Sequence, residues 1–224
     1  MLVTKHQKYG FINKDGELII PYEWDYAEAF SGGLAVVERD GKAGFIDTTG
    51  KLAIPCEWDY AGAFSEGLAA VEQEGKMGYI DTSGKLVIPC KWKLASNFSD
   101  GMAQVIDNNY NTGYIDQTGK QIIPCEYDYV PGAYFNDGLV KIKRDGKFGF
   151  IDKTGKLVIP CSWETQYAFM GENIGTGFSE GLAYVVRENK GGYINQSGEV
   201  VIPCVWELGS DFKDGIALVF GSVE

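Results

Sequence analysis

The sequence predicts an all-β protein of six tandem β-hairpin repeats, each about 34 residues long with about three strands. Three observations carry that expectation. A short segment recurs as "YGFINKDGELIIP", "AGFIDTTGKLAIP", "MGYIDTSGKLVIP", "TGYIDQTGKQIIP", "FGFIDKTGKLVIP" and "GGYINQSGEVVIP". The first glycines of these copies, Gly10, Gly44, Gly78, Gly113, Gly149 and Gly192, are spaced by 34, 34, 35, 36 and 43 residues. Thirty glycines beside only seven prolines, with 12 phenylalanines and 13 tyrosines, point to many turns joined by short strands.

Each element follows from local chemistry. A turn glycine lies six residues after each anchor, at Gly16, Gly50, Gly84, Gly119, Gly155 and Gly198, and a proline eleven after, from Pro21 to Pro203. "GFIDTTGKLAIP" therefore reads as strand, turn, strand: Asp47 can accept from the turn backbone and Gly50 can supply a positive φ. A second block, "FSGGLAVV" to "FKDGIALV", opens with Phe30, Phe64, Phe98, Phe135, Phe178 and Phe212. Here "GLAVVERDGKAGFID" gives a third strand, Leu34 to Glu38, and a tight Asp40-Gly41 turn into the next repeat. The link "EWDYAGAFSEG" carries Trp58, Ala61 and Phe64 at a spacing of three, which predicts one helical or irregular turn, too short to be a stable helix. The prolines belong at strand ends or edges, where a missing N–H does least harm.

The repeats fall at about 8–41, 42–75, 76–110, 111–146, 147–189 and 190–221, within one repeat domain spanning 1–224. Length changes are confined to loops: one residue in the 107–112 turn, two around Val130 to Gly132, and nine within 164–177. One repeat cannot cover both its faces, so stability is expected to add over neighbours. The first strand of repeat one and the third strand of repeat six, Ile216 to Phe220, are expected to lack partners. Two arrangements follow, an open twisted array or a closed six-bladed, propeller-like ring; the open array is favoured because propeller blades usually have four strands and about 40 residues.

The net charge of -11 makes the surface repel phosphate backbones and anionic lipid, so neither nucleic acid nor membrane is an expected partner. No basic and apolar leader precedes Tyr9, and the free-cysteine pattern agrees with a reducing compartment, so the cytoplasm is the expected location.

The pattern "GK.GFID.TGKLVIPC.WDYA..FSEGLA.V", from about Tyr9 to Val219, resembles the WG-repeat family of bacterial proteins. That family usually has tryptophan before the anchor glycine, whereas this chain has Tyr9, Ala43, Met77, Thr112, Phe148 and Gly191. The resemblance implies a non-catalytic binding or scaffolding module, often attached to other domains, with no active site to transfer.

The chemistry-bearing residues fall into columns. Cys56, Cys90, Cys125, Cys161 and Cys204 share one repeat position, where repeat one has Tyr22; a nucleophile is not needed five times, and small buried packing groups are expected. One histidine, His6, and no metal-ligand spacing argue against a metal, a cofactor or Cys-His catalysis, so no enzyme is expected. Trp24, Trp58, Trp92, Tyr127, Trp163 and Trp206 form an aromatic column with two readings: rings sealing the core between repeats, or an exposed ladder that stacks on sugars or choline-like cations. Asp47, Asp81, Asp116 and Asp152, with Asn13 and Asn195, are read as turn residues. The acids beside Trp24 and Trp58 are read as solvated charges. The insertion "ETQYAFMGENIGTG" places Tyr167, Phe169, Met170 and Ile174 in a loop outside the repeat pattern, a candidate partner contact. The expected function is an interaction module for a protein or peptide; the alternative is a small-ligand or carbohydrate binder using the tryptophan column.

Overall fold

Glycine turns and alternating apolar residues give short antiparallel strands, and the computed structural model contains them over its described residues, 1–5, 7–164 and 177–221. Among these there are 24 strands and no helix. His6 and the insertion residues Tyr167, Phe169, Met170 and Ile174 lie outside the described residues.

The chain divides into two compact units: Met1–Asn108 with Gln117–Gly119, and Asn109–Asp116 with Lys120–Glu224. Repeats that touch only their neighbours give no single core, so compactness is local. In the first unit, β1 (Leu2–Lys5), β2 (Lys8–Ile12) and β3 (Leu18–Trp24) form a three-stranded sheet. Strands β4 (Tyr26–Ala27), β5 (Leu34–Arg39), β6 (Lys42–Asp47) and β7 (Leu52–Trp58) form a four-stranded one, and β8 (Tyr60–Ala61), β9 (Leu68–Gln73), β10 (Lys76–Asp81) and β11 (Leu86–Trp92) repeat it. The unit also holds β12 (Leu94–Ala95), paired with β13 (Met102–Ile106).

In the second unit, β14 (Thr112–Asp116) pairs with β15 (Gln121–Tyr127). A three-stranded sheet follows, of β16 (Leu139–Arg144), β17 (Lys147–Asp152) and β18 (Leu157–Trp163), with an isolated bridge Asp128↔Lys143 where a fourth strand lies elsewhere. Next comes a four-stranded sheet of β19 (Phe178–Ser179), β20 (Leu182–Arg187), β21 (Lys190–Asn195) and β22 (Val200–Trp206). The described chain closes on a two-stranded sheet, β23 (Leu208–Gly209) with β24 (Val219–Phe220).

Two features differ from the sequence expectation. The link after Trp24, Trp58, Trp92 and Trp206 is a short fourth strand, not a helical turn. Asp25 N–H donates to Glu38 O at 2.9 Å and Glu28 N–H to Val36 O at 3.0 Å, so β4 gives its backbone groups partners that one isolated helical turn could not. Each four-stranded sheet consequently joins the end of one repeat to the hairpin of the next. The first repeat also has a preceding strand, because β1 pairs with β2 from Leu2↔Phe11 to Lys5↔Lys8.

The turns behave as their residues dictate. Asp40 and Gly41, with φ of 53° and 74°, close a two-residue hairpin between Arg39 and Lys42. Asp47 Oδ1 accepts from Thr49 N–H at 2.9 Å and Lys51 N–H at 3.1 Å, and Gly50 has φ 86°. The anchor glycines answer a different need. The β6–β7 register shifts between Ala43↔Trp58 and Phe45↔Ile54, a bulge that brings the chains close. A Cβ on Gly44 would lie 2.6 Å from Ile54 O and 2.7 Å from Cys56 N, so no larger residue fits. Pro55 lies within edge strand β7 at this bulge, in the interior of the strand and not at its end.

The apolar cores lie between successive sheets. Phe45, Ile54, Trp58, Ala61 and Phe64 pack with Ala69, Val71 and Ile80 of the following sheet. The turn glycine of one hairpin lies over the isoleucine of the previous one: a Cβ on Gly50 would be 3.1 Å from Ile20 Cγ1. Polar links reinforce this stacking. Ser31 Oγ donates to Phe64 O at 3.1 Å and Ser65 Oγ to Phe98 O at 2.7 Å; in the second unit Ser179 Oγ donates to Phe212 O at 2.7 Å.

Candidate functional site

The tryptophan column is interior. Trp24, Trp58, Trp92, Tyr127 and Trp163 are between 2% and 7% exposed, so the exposed ladder is not what these sheets present. The reason is packing between sheets: Cys56 of the following hairpin lies against the cluster of Trp24, and Cys90 against that of Trp58. Trp206, followed among the described residues only by the two-stranded β23–β24 sheet and by no further hairpin, is half-buried. The indole N–H groups of Trp24, Trp58, Trp92 and Trp163 are buried without a hydrogen-bond partner among the described residues, so these rings act through area and not through polar contacts.

Cations cover the rings. Arg39 lies 4.2 Å from the Trp24 ring centroid, Arg187 4.5 Å from Trp163 and Arg144 4.7 Å from Tyr127, which uses all three arginines of the chain. Arg39 also pairs with Glu23 at 3.1 Å and Arg144 with Glu126 at 2.6 Å. The acids after the aromatic residue hold turns: Asp59 accepts from Lys42 Nζ at 2.5 Å and from Glu74 N–H at 2.9 Å. These two bonds, the Lys42 one foremost, hold the Asp59 carboxyl below its usual range. Asp25 makes the same pair of contacts with Lys8 and Asp40.

The cysteines are half-buried and form no disulfide among the described residues, and burial pushes the thiols of Cys56, Cys90, Cys161 and Cys204 upward. A raised thiol is a poor nucleophile, which is consistent with a packing role.

What the sheets expose is a row that the sequence reading passed over. Two positions beyond Trp24, Trp58, Trp92 and Tyr127, the residues Tyr26, Tyr60 and Leu94 in the first unit and Tyr129 in the second are exposed. Acids surround the first two: Tyr26 Oη donates to Glu28 Oε1 at 3.1 Å, and the phenol of Tyr60 is raised by partial burial, then by Glu28 and Glu38.

A hollow of about 450 Å³ opens beside Tyr60 and Leu94, with Ala70, Glu72, Met77 and Asn97 also lining it. One lining residue, Met77, is at the position that precedes the anchor glycine. The residue at that position shares one space with a residue on the neighbouring strand: Tyr184 fills it over Gly191, whose added Cβ would meet the phenol oxygen, and Lys141 Nζ lies 4.7 Å from the Phe148 ring centroid. Beside Tyr60 the corresponding pair is Ala70 with Met77, and both line the hollow. An apolar floor beside a carboxylate and a phenol suits a cationic or amphipathic side chain.

Comparison with known proteins agrees with the repeat architecture. The family profile described as WG containing repeat matches residues 9–42, 44–76, 77–110, 113–148, 148–190 and 192–220. Among solved structures, the computationally designed Ika8 protein is 15% identical with a TM-score of 0.53, over 95% of this chain and 73% of that one. BamB from Moraxella catarrhalis is 14% identical with a TM-score of 0.50, over 85% of this chain and 64% of that one. Both are likenesses of fold. No curated protein sequence matches. Six profile matches covering nearly every residue from 9 to 220 establish that the chain belongs to the WG containing repeat family.

Proposed function

We propose that the chain is an interaction module, whose stacked sheets hold an exposed tyrosine and leucine row in an acidic setting for a peptide segment of a protein partner. The observation that carries this reading is the hollow at Tyr60 and Leu94, where Glu72 stands beside the apolar surface of Ala70 and Met77. The tryptophans, cysteines and turn aspartates are occupied in packing and turns, so the repeated chemistry supports the scaffold while the exposed row supports contact. The partner segment carries lysine or arginine next to apolar side chains, in keeping with the net charge of -11.

Selection of displayed random peptides on the immobilised 224-residue chain tests this. The expected result is enrichment of peptides with a basic residue beside an apolar one, abolished by Tyr60→Ser with Leu94→Ser. Both residues are exposed, so the fold is retained. Enrichment of acidic peptides, or enrichment unchanged by the double substitution, overturns the reading. The carbohydrate alternative predicts a tryptophan emission change with oligosaccharides, which the buried column disfavours.

A further inference from the structure

In four sheets the third strand of one repeat pairs with the first strand of the next in a single six-residue register: Leu34↔Asp47 to Arg39↔Lys42, Leu68↔Asp81 to Gln73↔Lys76, Leu139↔Asp152 to Arg144↔Lys147, and Leu182↔Asn195 to Arg187↔Lys190. The segment "GIALVF" in repeat six corresponds to "GLAVVE" in repeat one. Its strand β24 pairs on one side only among the described residues, with β23. Glu207 N–H donates to Phe220 O and Ser210 N–H to Leu218 O, both at 2.8 Å. Strand alternation then turns the amides of Ala217 and Val219 towards the open edge.

This end has the shape of an uncovered repeat interface. Ile216, Leu218 and Phe220 are 74%, 78% and 62% exposed, whereas Val36 and Ala70, which correspond to Leu218, are each 2% exposed. Beneath them Ile202 and Trp206 are half-buried, although Ile20, Ile54, Trp24 and Trp58 at the same positions are buried. In those earlier repeats the following hairpin supplies the cover, through its turn glycine and its cysteine. An exposed apolar edge of this kind is a template for strand addition.

The matching hairpin exists at the other end of the chain. Strands β2 and β3 form the first hairpin of the repeat pattern, and β1 occupies the third-strand place against it: Leu2↔Phe11, Val3↔Gly10 and Thr4↔Tyr9 correspond to Val36↔Phe45, Val37↔Gly44 and Glu38↔Ala43. Yet β1 has four residues where β5 has six, all half-buried or exposed, and among the described residues no two-residue strand flanks it. It is a weak occupant of a strong position.

We propose that residues 216–220 of one copy add to the β2–β3 hairpin of a second copy in the place of β1. The repeat register sets Leu218 opposite Phe11, Val219 opposite Gly10 and Phe220 opposite Tyr9. The last pair is aromatic on both strands, a combination that stabilises adjacent strands. The contact joins two different surfaces, so it propagates head to tail.

Sedimentation of the 224-residue chain over a range of concentrations is the test. Head-to-tail dimers and larger species are expected to grow with concentration. Val219→Pro removes only an edge amide and is expected to weaken association by about tenfold or more, with an unchanged circular dichroism spectrum. A chain lacking residues 1–5 is expected to associate at lower concentration. A Tyr9→Cys, Phe220→Cys variant is expected to form its disulfide between copies. A monomer at every concentration, association indifferent to Val219→Pro, or a cross-link within one chain each overturns the proposal.

Discussion

At the level of single residues, the aromatic column shows where sequence reading stops. Trp58 and Tyr60 are two positions apart, and in one continuous strand they would face the same side. The chain instead leaves one sheet after Trp58 and enters the next at Tyr60, with Asp59 held at the turn between them, so one ring is buried and the other exposed. Repetition marked the Trp58 position but not Tyr60, and carried no information about that crossing. Trp58→Ala is expected to cost about 3–5 kcal/mol in urea unfolding, as a large aromatic removed from a core. Trp58→Tyr is expected to cost less, because Tyr127 already fills the same place and the buried indole N–H makes no bond that is lost.

The turn aspartates were legible, since Asp-x-x-Gly before a strand has one economical geometry. They also set a pH dependence. Hydrogen bonds from the Thr49 and Ser83 hydroxyls and amides hold Asp47 and Asp81 below their ordinary value of 3.8, and Thr154 does the same for Asp152. A carboxyl depressed by folding contributes stability that is full above its unfolded value and is lost as pH falls through its folded one. Acid unfolding is therefore expected to steepen below pH 3.8. Replacing Asp47, Asp81 and Asp152 by Asn, the residue at positions 13 and 195, is expected to flatten that acid limb while the hairpins persist, as followed by circular dichroism.

At the level of elements, glycine spacing gave the hairpins, and the Asp-Gly pair gave the tight turns. The fourth strand escaped notice because the two residues Tyr60 and Ala61 are too few for a period-two pattern to show. The anchor glycine was visible as a repeat marker, while its cause, a strand crossing close at a bulge, depends on register. Gly44→Ala is expected to destabilise by about 1–3 kcal/mol, because the new Cβ meets backbone atoms that cannot yield. Ser65→Ala, which leaves Phe98 O without its 2.7 Å partner, is expected to cost about 1 kcal/mol by the same unfolding measurement.

At the scale of the whole molecule, the repeat length and the matched segments were readable from the chain. The division into two compact units was not, because identical junctions give no signal of where compactness changes. Nor was the hollow at Tyr60, whose lining is drawn from residues on neighbouring strands and the link that follows Trp92. A repeat whose columns are spent on stacking keeps its variation for exposed rows and ends, and those are where partner contacts are placed by this account.

The repeated aromatic column is structural, its rings packed between sheets. Collisional quenching of tryptophan emission by iodide tests it most directly, on the wild type and on Trp206→Phe. The account predicts blue-shifted emission whose small quenchable fraction belongs to the half-buried Trp206 and disappears in that variant. Red-shifted emission, with quenching that survives Trp206→Phe, would place the other rings in solvent and contradict it.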